Sequence, residues 1–298
     1  MLELSFALML CTLRRILAMR CRLSPAAIAL ATAFGFAVAL PLVPAAAQDA
    51  SRLPDWTGQW IRTGAGSFDP TKPPGLRQGA PLTPAYQAIL EASVAAQGAG
   101  GQGNDPMARC IPPGMPRMMI NYGLGMEFVL TPETTYLLFG EPMRQLRRIF
   151  TDGRPWPAAI VPTFSGYSIG RWEGNDGEGR ASALVVETRG LRGPRSYDSN
   201  GAPFHADDQT VVEERMHLDP AKPDLLYDDM TVHDHALTHP WSVRRSYRRE
   251  RHPVWLETIC GEVEPQARIG SEDYFVTYDG LLMPTRKNQP PPDLRNFK

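Results

Sequence analysis

The sequence predicts a mainly β fold, an antiparallel meander closing into a barrel or a sandwich, preceded by one helix and a long irregular strap. Three observations carry this expectation. Residues 126–259 hold nine short runs rich in Val, Ile, Leu, Tyr, Phe and Trp, joined by brief connections with Pro or Gly where a turn would fall. The stretch from Arg147 to Thr188 shows the pattern most clearly, with three β-type runs broken by the turn signals Asp152-Gly153 and Glu173-Gly174. Finally, four runs read at period two place one charge each among apolar neighbours, as strands around a partly polar interior would.

Residues 1–47 read as a secretory signal peptide. Arg20 and Arg22 precede an apolar run from Ala26 to Val43, and Ala45-Ala46-Ala47 supplies the small residues for cleavage after Ala47. Pro41 and Pro44 interrupt a run already short for a membrane span, so an uncleaved anchor is the weaker alternative. Residues 1–18 read as sequence upstream of a better start at Met19. Cleavage takes 47 of the 298 residues and removes Arg14, Arg15, Arg20, Arg22 and Glu3, so 31 basic and 32 acidic residues become 27 and 31. The balance is slightly acidic, with no basic patch for nucleic acid and no mature amphipathic helix for a membrane surface. Of the four cysteines, Cys11 and Cys21 leave with the leader. Cys110 and Cys260 remain, and in an exported chain two cysteines are most simply a disulfide. Closing so long a loop stabilises by about 4–5 kcal/mol on the chain-entropy model. Neither has a CxxC partner, which points away from redox and zinc chemistry.

Taken in order, residues 48–125 form an irregular extension. Leu53-Pro54-Asp55 turns into a short strand bearing Trp56 and Trp60, and residues 63–82 are rich in Gly and Pro. Thr83-Pro84 gives an N-cap and a proline at the first helical position, so a helix is expected near 84–97, ending in the Gly-rich 98–103. Residues 106–118, with four prolines, Cys110 and Arg117, read as an ordered strap. The barrel domain is expected over 126–283, with strands at 126–130, 134–139, 144–151, 166–173, 182–189, 209–218, 224–234, 241–249 and 254–259. The tail over 284–298, with Pro290-Pro291-Pro292, reads as flexible.

The period-2 reading groups Leu146, Arg148 and Phe150 on one face, then Val212, Glu214, Met216 and Leu218, then Leu226, Asp228, Met230 and Val232, then Trp241, Val243, Arg245 and Tyr247. An unpaired charge in a packed core costs several kcal/mol, so two Arg and two acids on apolar faces should pair or line a wet lumen. Bulges that turn the charges to solvent are the structural alternative.

Among the histidines, His233-x-His235 shares a strand face and His239 follows in the turn, but no third ligand has a defined spacing, so no metal site is expected. His205 lies in a loop with Asp207 and Asp208 and is the candidate general acid or base. No nucleotide-binding loop, nucleophile elbow or HExxH motif is present to support a named mechanism.

The motifs Cys110-Ile-Pro-Pro-Gly-Met-Pro-Arg117, Arg148-Ile-Phe-Thr-Asp-Gly-Arg154, Ser168-Ile-Gly-Arg-Trp-Glu-Gly174 and Leu184-Val-Val-Glu-Thr188, with His205, Glu214-Arg215, Thr231-Val232, Asp234 and Pro240-Trp241, form a set over roughly residues 54–260. As a set it resembles a family of exported bacterial β-rich proteins. The resemblance implies a periplasmic or secreted, lipocalin-like barrel and supplies no activity. This chain departs from the family pattern in the long turn after Gly174 and in His235, where the family has Pro.

These readings converge on a periplasmic barrel binding a small, largely apolar molecule, without cofactor, in a lumen with a few fixed charges. Arg148, Arg154, Arg245, Trp172 and Asp234 are the candidate ligand contacts. The rival is a cofactor-independent lyase, isomerase or hydrolase, with His205, Asp152 and Glu214 as the acid–base set and an Arg stabilising an oxyanion. A third reading is a structural or accessory envelope protein.

Overall fold

The computed structural model describes residues 50–63, 79–120, 125–140, 145–255, 266–277 and 279–295. The leader read over 1–47, Cys260 and most of the strand expected over 254–259 lie outside them.

Nine strands form a closed barrel in chain order. They are β1 (Gln59–Arg62), β2 (Met126–Leu130), β3 (Thr134–Phe139), β4 (Leu146–Phe150), β5 (Tyr167–Glu173), β6 (Ala183–Arg189), β7 (Val211–Asp219), β8 (Lys222–His233) and β9 (Trp241–Glu250). The expected antiparallel barrel is present, with two differences. The closing strand is β1, from the N-terminal extension, which pairs Trp60 with Arg249 and Arg62 with Tyr247 on β9. Between β4 and β5 the pairing is parallel, Ile149 against Ser168. Residues 151–166 carry the chain back to the rim where β4 began, which a tight hairpin cannot do.

Two glycines of the Ser168–Gly174 motif serve the sheet geometrically. A Cβ at Gly170, in the middle of β5, would meet Ile149 Cγ2 at 2.7 Å, so its absence lets Ile149 fill the barrel wall. Gly174 sits at φ +74°, where a Cβ would also meet Ser182 Oγ at 2.1 Å.

The inward faces of the strands bury Trp60, Met126, Phe128, Leu137, Ile149, Leu184, Val186, Val212, Met216, Leu226, Met230, Val232 and Tyr247. At the rim of Glu173 and Ala183, Trp56 closes the interior with edge-on contacts to Phe128 (4.9 Å) and Trp172 (5.0 Å). The opposite rim, at Tyr167 and Trp241, is covered by the strap. There the Met115 N–H donates to the Phe164 carbonyl (2.9 Å), and Met115, Met118 and Met119 are buried. Helix α1 (Pro84–Gly98) packs on the same side, held by Thr83 N–H to Ala236 O (2.8 Å) and Ser93 Oγ to Asn200 O (2.6 Å).

Residues 266–284 do not continue the barrel. They form a separate three-stranded sheet, β10 (Gln266–Ile269), β11 (Glu272–Val276) and β12 (Leu282–Pro284). The segment after β12 is tied to it by the Gln289 side chain, which donates to Asp273 O (2.7 Å) and accepts from Thr285 N–H (2.7 Å).

Candidate functional site

The inner faces of β4, β7, β8 and β9 carry Arg147, Glu214, Asp228 and Arg245, each at most 5% exposed. Three of these are the inward charges expected from period two. The fourth is a correction: β4 turns Arg147 and Ile149 inward and Leu146 and Arg148 outward. Arg148 lies over the outer face of Tyr136, 5.5 Å from the ring centroid. Phe150 takes the outward phase because its ring is covered there by Tyr167 (5.1 Å) and the Arg154 guanidinium (3.8 Å).

Arg147 and Glu214 form a two-pronged ion pair across the barrel, Nη1 to Oε1 at 2.9 Å with a second contact from Nη2 to Oε2. Arg147 Nη2 also donates to Thr188 Oγ1 (2.9 Å), which shares a hydrogen bond with Ser168 Oγ (2.8 Å). Planar guanidinium against planar carboxylate, with further acceptors around the rim, is the arrangement that allows a buried pair to persist.

Asp228 is different. It is fully buried, and neither carboxyl oxygen has a hydrogen-bond partner among the described residues. Its neighbours in register are Met216 on β7 and Arg245 on β9. Burial, and next the charge of Glu214, push its pKa well above the ordinary carboxylate value, against the pull of Arg147 and Arg245. Burial thus favours the protonated carboxyl, which can act as an O–H donor inside the barrel. Thr135 Oγ1 and Arg147 Nε are likewise buried without partners among the described residues. Tyr247 bounds the layer, its hydroxyl donating to Met119 O (2.6 Å) on the strap.

The remaining expected site residues lie elsewhere. Trp172 faces the interior in the aromatic closure at the far rim. Arg154 is bound to Asp152 (2.6 Å) in the turn after β4, and this contact, against the opposing effect of burial, holds the Asp152 carboxyl below its usual range. Asp234 accepts from the Thr210 hydroxyl (2.6 Å) and from the His205 and Ala236 amides (2.9 and 2.8 Å), so it positions backbone. His205 contacts Asp207, Asp152 binds Arg154 and Glu214 binds Arg147, so among the described residues these three do not form one acid–base set. Arg147 and Thr135 are the residues that sequence reasoning missed. The two adjacent arginines of β4 leave its phase ambiguous.

On the outside, the outward faces of β5–β8 and the 151–166 connection enclose a groove of about 720 Å³. Its charges are largely satisfied by one another: Glu173 binds Arg171 and Arg215, Glu187 binds Arg189, and Asp229 binds Arg244 and His217. A second depression, about 640 Å³, lies at the closed rim and is lined in part by Trp56. The same ring thus borders the outside depression and seals the interior. The interior layer retains buried polar atoms without hydrogen-bond partners among the described residues, as does the closed rim at Trp56 Nε1.

Comparison with protein-family models, with curated proteins and with solved structures gives no match.

Proposed function

We propose that this protein is an exported β-barrel that binds a small, largely apolar molecule in its interior, with Asp228 and Arg245 as its polar handle. The observation that carries the reading is Asp228, a fully buried carboxyl with neither oxygen bonded among the described residues. Buried polar groups are nearly always hydrogen-bonded, and each exception calls for a partner. A ligand carbonyl or acidic group would supply the missing partner, accepting from the Asp228 carboxyl, whose protonated form burial favours. The apolar body of the ligand would lie against Met216, Met230, Val243 and Leu137, all buried on the same inner surface. This follows the general pattern of small-molecule sites, apolar walls with few placed polar groups.

Export rests on the leader read over 1–47, and the disulfide between Cys110 and Cys260 belongs to the same proposal. The full chain, expressed with its leader and recovered from the periplasm, is denatured and its organic extract analysed by mass spectrometry. A single small molecule enriched over a mock purification is expected. Repeated extracts indistinguishable from the mock would count against the reading.

A further inference from the structure

At the strap-covered rim, three side chains converge that spacing alone did not connect. His205 and Asp207 come from the loop before β7, and His235 follows the end of β8. Their candidate ligand atoms all lie within 4.8 Å of one another. Both imidazole Nδ1 atoms approach the same carboxylate oxygen, Asp207 Oδ2, His235 at 2.6 Å and His205 at 3.1 Å.

The two contacts are not equivalent. A neutral His235 donates its Nδ1–H to Oδ2 in the ordinary way. His205 Nδ1, however, already accepts the Asp207 backbone N–H (3.1 Å), so the nitrogen facing Oδ2 presents a lone pair. Two acceptors then face each other at 3.1 Å, an arrangement that a shared cation relieves. We infer that His205, Asp207 and His235 bind a divalent transition-metal ion of the zinc class, coordinated by two imidazoles and one carboxylate with its remaining positions open to solvent. Tetrahedral zinc with bonds of about 2.0–2.1 Å separates its ligand atoms by roughly 3.3 Å. The two separations at Oδ2 need to change by less than about 1 Å and the widest, within 4.8 Å, by at most about 1.5 Å, while His205 exchanges its amide contact for the ion.

The scaffold is built to hold this set. Asp234 binds the His205 and Ala236 amides with one carboxylate, pinning the two histidine-bearing segments side by side. Tyr86 of α1 packs on the His205 ring (5.7 Å). The side chains remain reachable, 35% exposed at His205, 27% at Asp207 and 68% at His235. His233, the histidine that spacing had paired with His235, is instead near Glu213 (3.4 Å). The proposal replaces the expectation that this chain holds no metal, and it is independent of the ligand reading for the interior.

The test uses the full-length protein as purified, stripped with a chelator and titrated with Zn(II) alone against a chromogenic competitor, and with Co(II) followed by visible absorption. One equivalent is expected to bind, with the visible ligand-field bands of cobalt in a four- or five-coordinate site. His235→Ala should weaken binding at least about tenfold, the low end of what losing even an outer-shell partner of a ligand costs. Because that side chain is mostly exposed, its circular dichroism and melting temperature without metal should match the parent. His233→Ala should leave the affinity unchanged. Absence of saturable binding, equal affinity in parent and His235→Ala, or equal loss in His233→Ala would each overturn the site.

Discussion

The proton on Asp228 links the interior layer to stability. Its folded pKa is raised by burial and by Glu214, whereas in the unfolded chain it returns to the ordinary 3.8. The folded protein therefore holds a proton that the unfolded chain releases. Stability from this group is complete below pH 3.8 and declines as pH rises from there toward the raised folded value. Urea unfolding across pH should show the parent losing stability relative to Asp228→Asn as pH climbs above about 4. A pH-independent difference would mean that Asp228 is ionised in the fold. Its partner pair makes a second prediction. Glu214→Leu leaves Arg147 buried and uncompensated, a loss of about 3–5 kcal/mol, whereas adding Arg147→Met should restore most of it. Equal destabilisation by single and double substitutions, read from denaturant midpoints, would contradict that account. The same layer shows how much of the site was legible. Glu214, Asp228 and Arg245 were found because each sits in a long strand with several apolar residues in phase. In Leu146-Arg147-Arg148-Ile149-Phe150 the apolar ends suggested the wrong phase, because Phe150 is covered on the outside by Tyr167 and Arg154, contacts supplied by distant sequence.

At the scale of elements, the strands from β5 to β9 lie close to where alternation and turn residues put them, and α1 starts at the expected Pro84. What sequence could not show was which pieces close the barrel. β1 is only four residues long and lies in a Gly- and Pro-rich context, yet it bridges β2 and β9. The parallel pairing of β4 with β5 depends on the route of the 151–166 connection, which no local pattern encodes. Closure of the far rim rests on the Trp56–Phe128–Trp172 cluster. Trp56→Ala removes the shared ring and should cost about 3–5 kcal/mol, measured by chemical denaturation. A loss below about 1 kcal/mol would show that neighbouring side chains collapse into the space. The histidine cluster was half legible: His205 was marked by its acidic loop, but its partner His235 was assigned to His233 because i, i+2 spacing was the nearest available rule.

For the whole molecule, the buried layer, the strap above it and the proposed export belong to one account. A Cys110–Cys260 disulfide would tie the strap to the chain beyond β9. Peptide mapping under non-reducing conditions should find the linked pair, and reduction should lower stability by about 4–5 kcal/mol on the chain-entropy model; alkylation of both thiols without reductant would exclude the bridge. The central claim is that the interior polar layer exists to hold a ligand. Native mass spectrometry of periplasm-derived parent and Asp228→Leu proteins, with their unfolding free energies measured alongside, tests it most directly. Replacing a buried carboxyl that has no hydrogen-bond partner among the described residues with an apolar side chain of similar size should leave the empty barrel as stable or more so, by up to about 4 kcal/mol, while abolishing the bound mass. A parent with no bound mass, or an Asp228→Leu protein that keeps it, would contradict the claim.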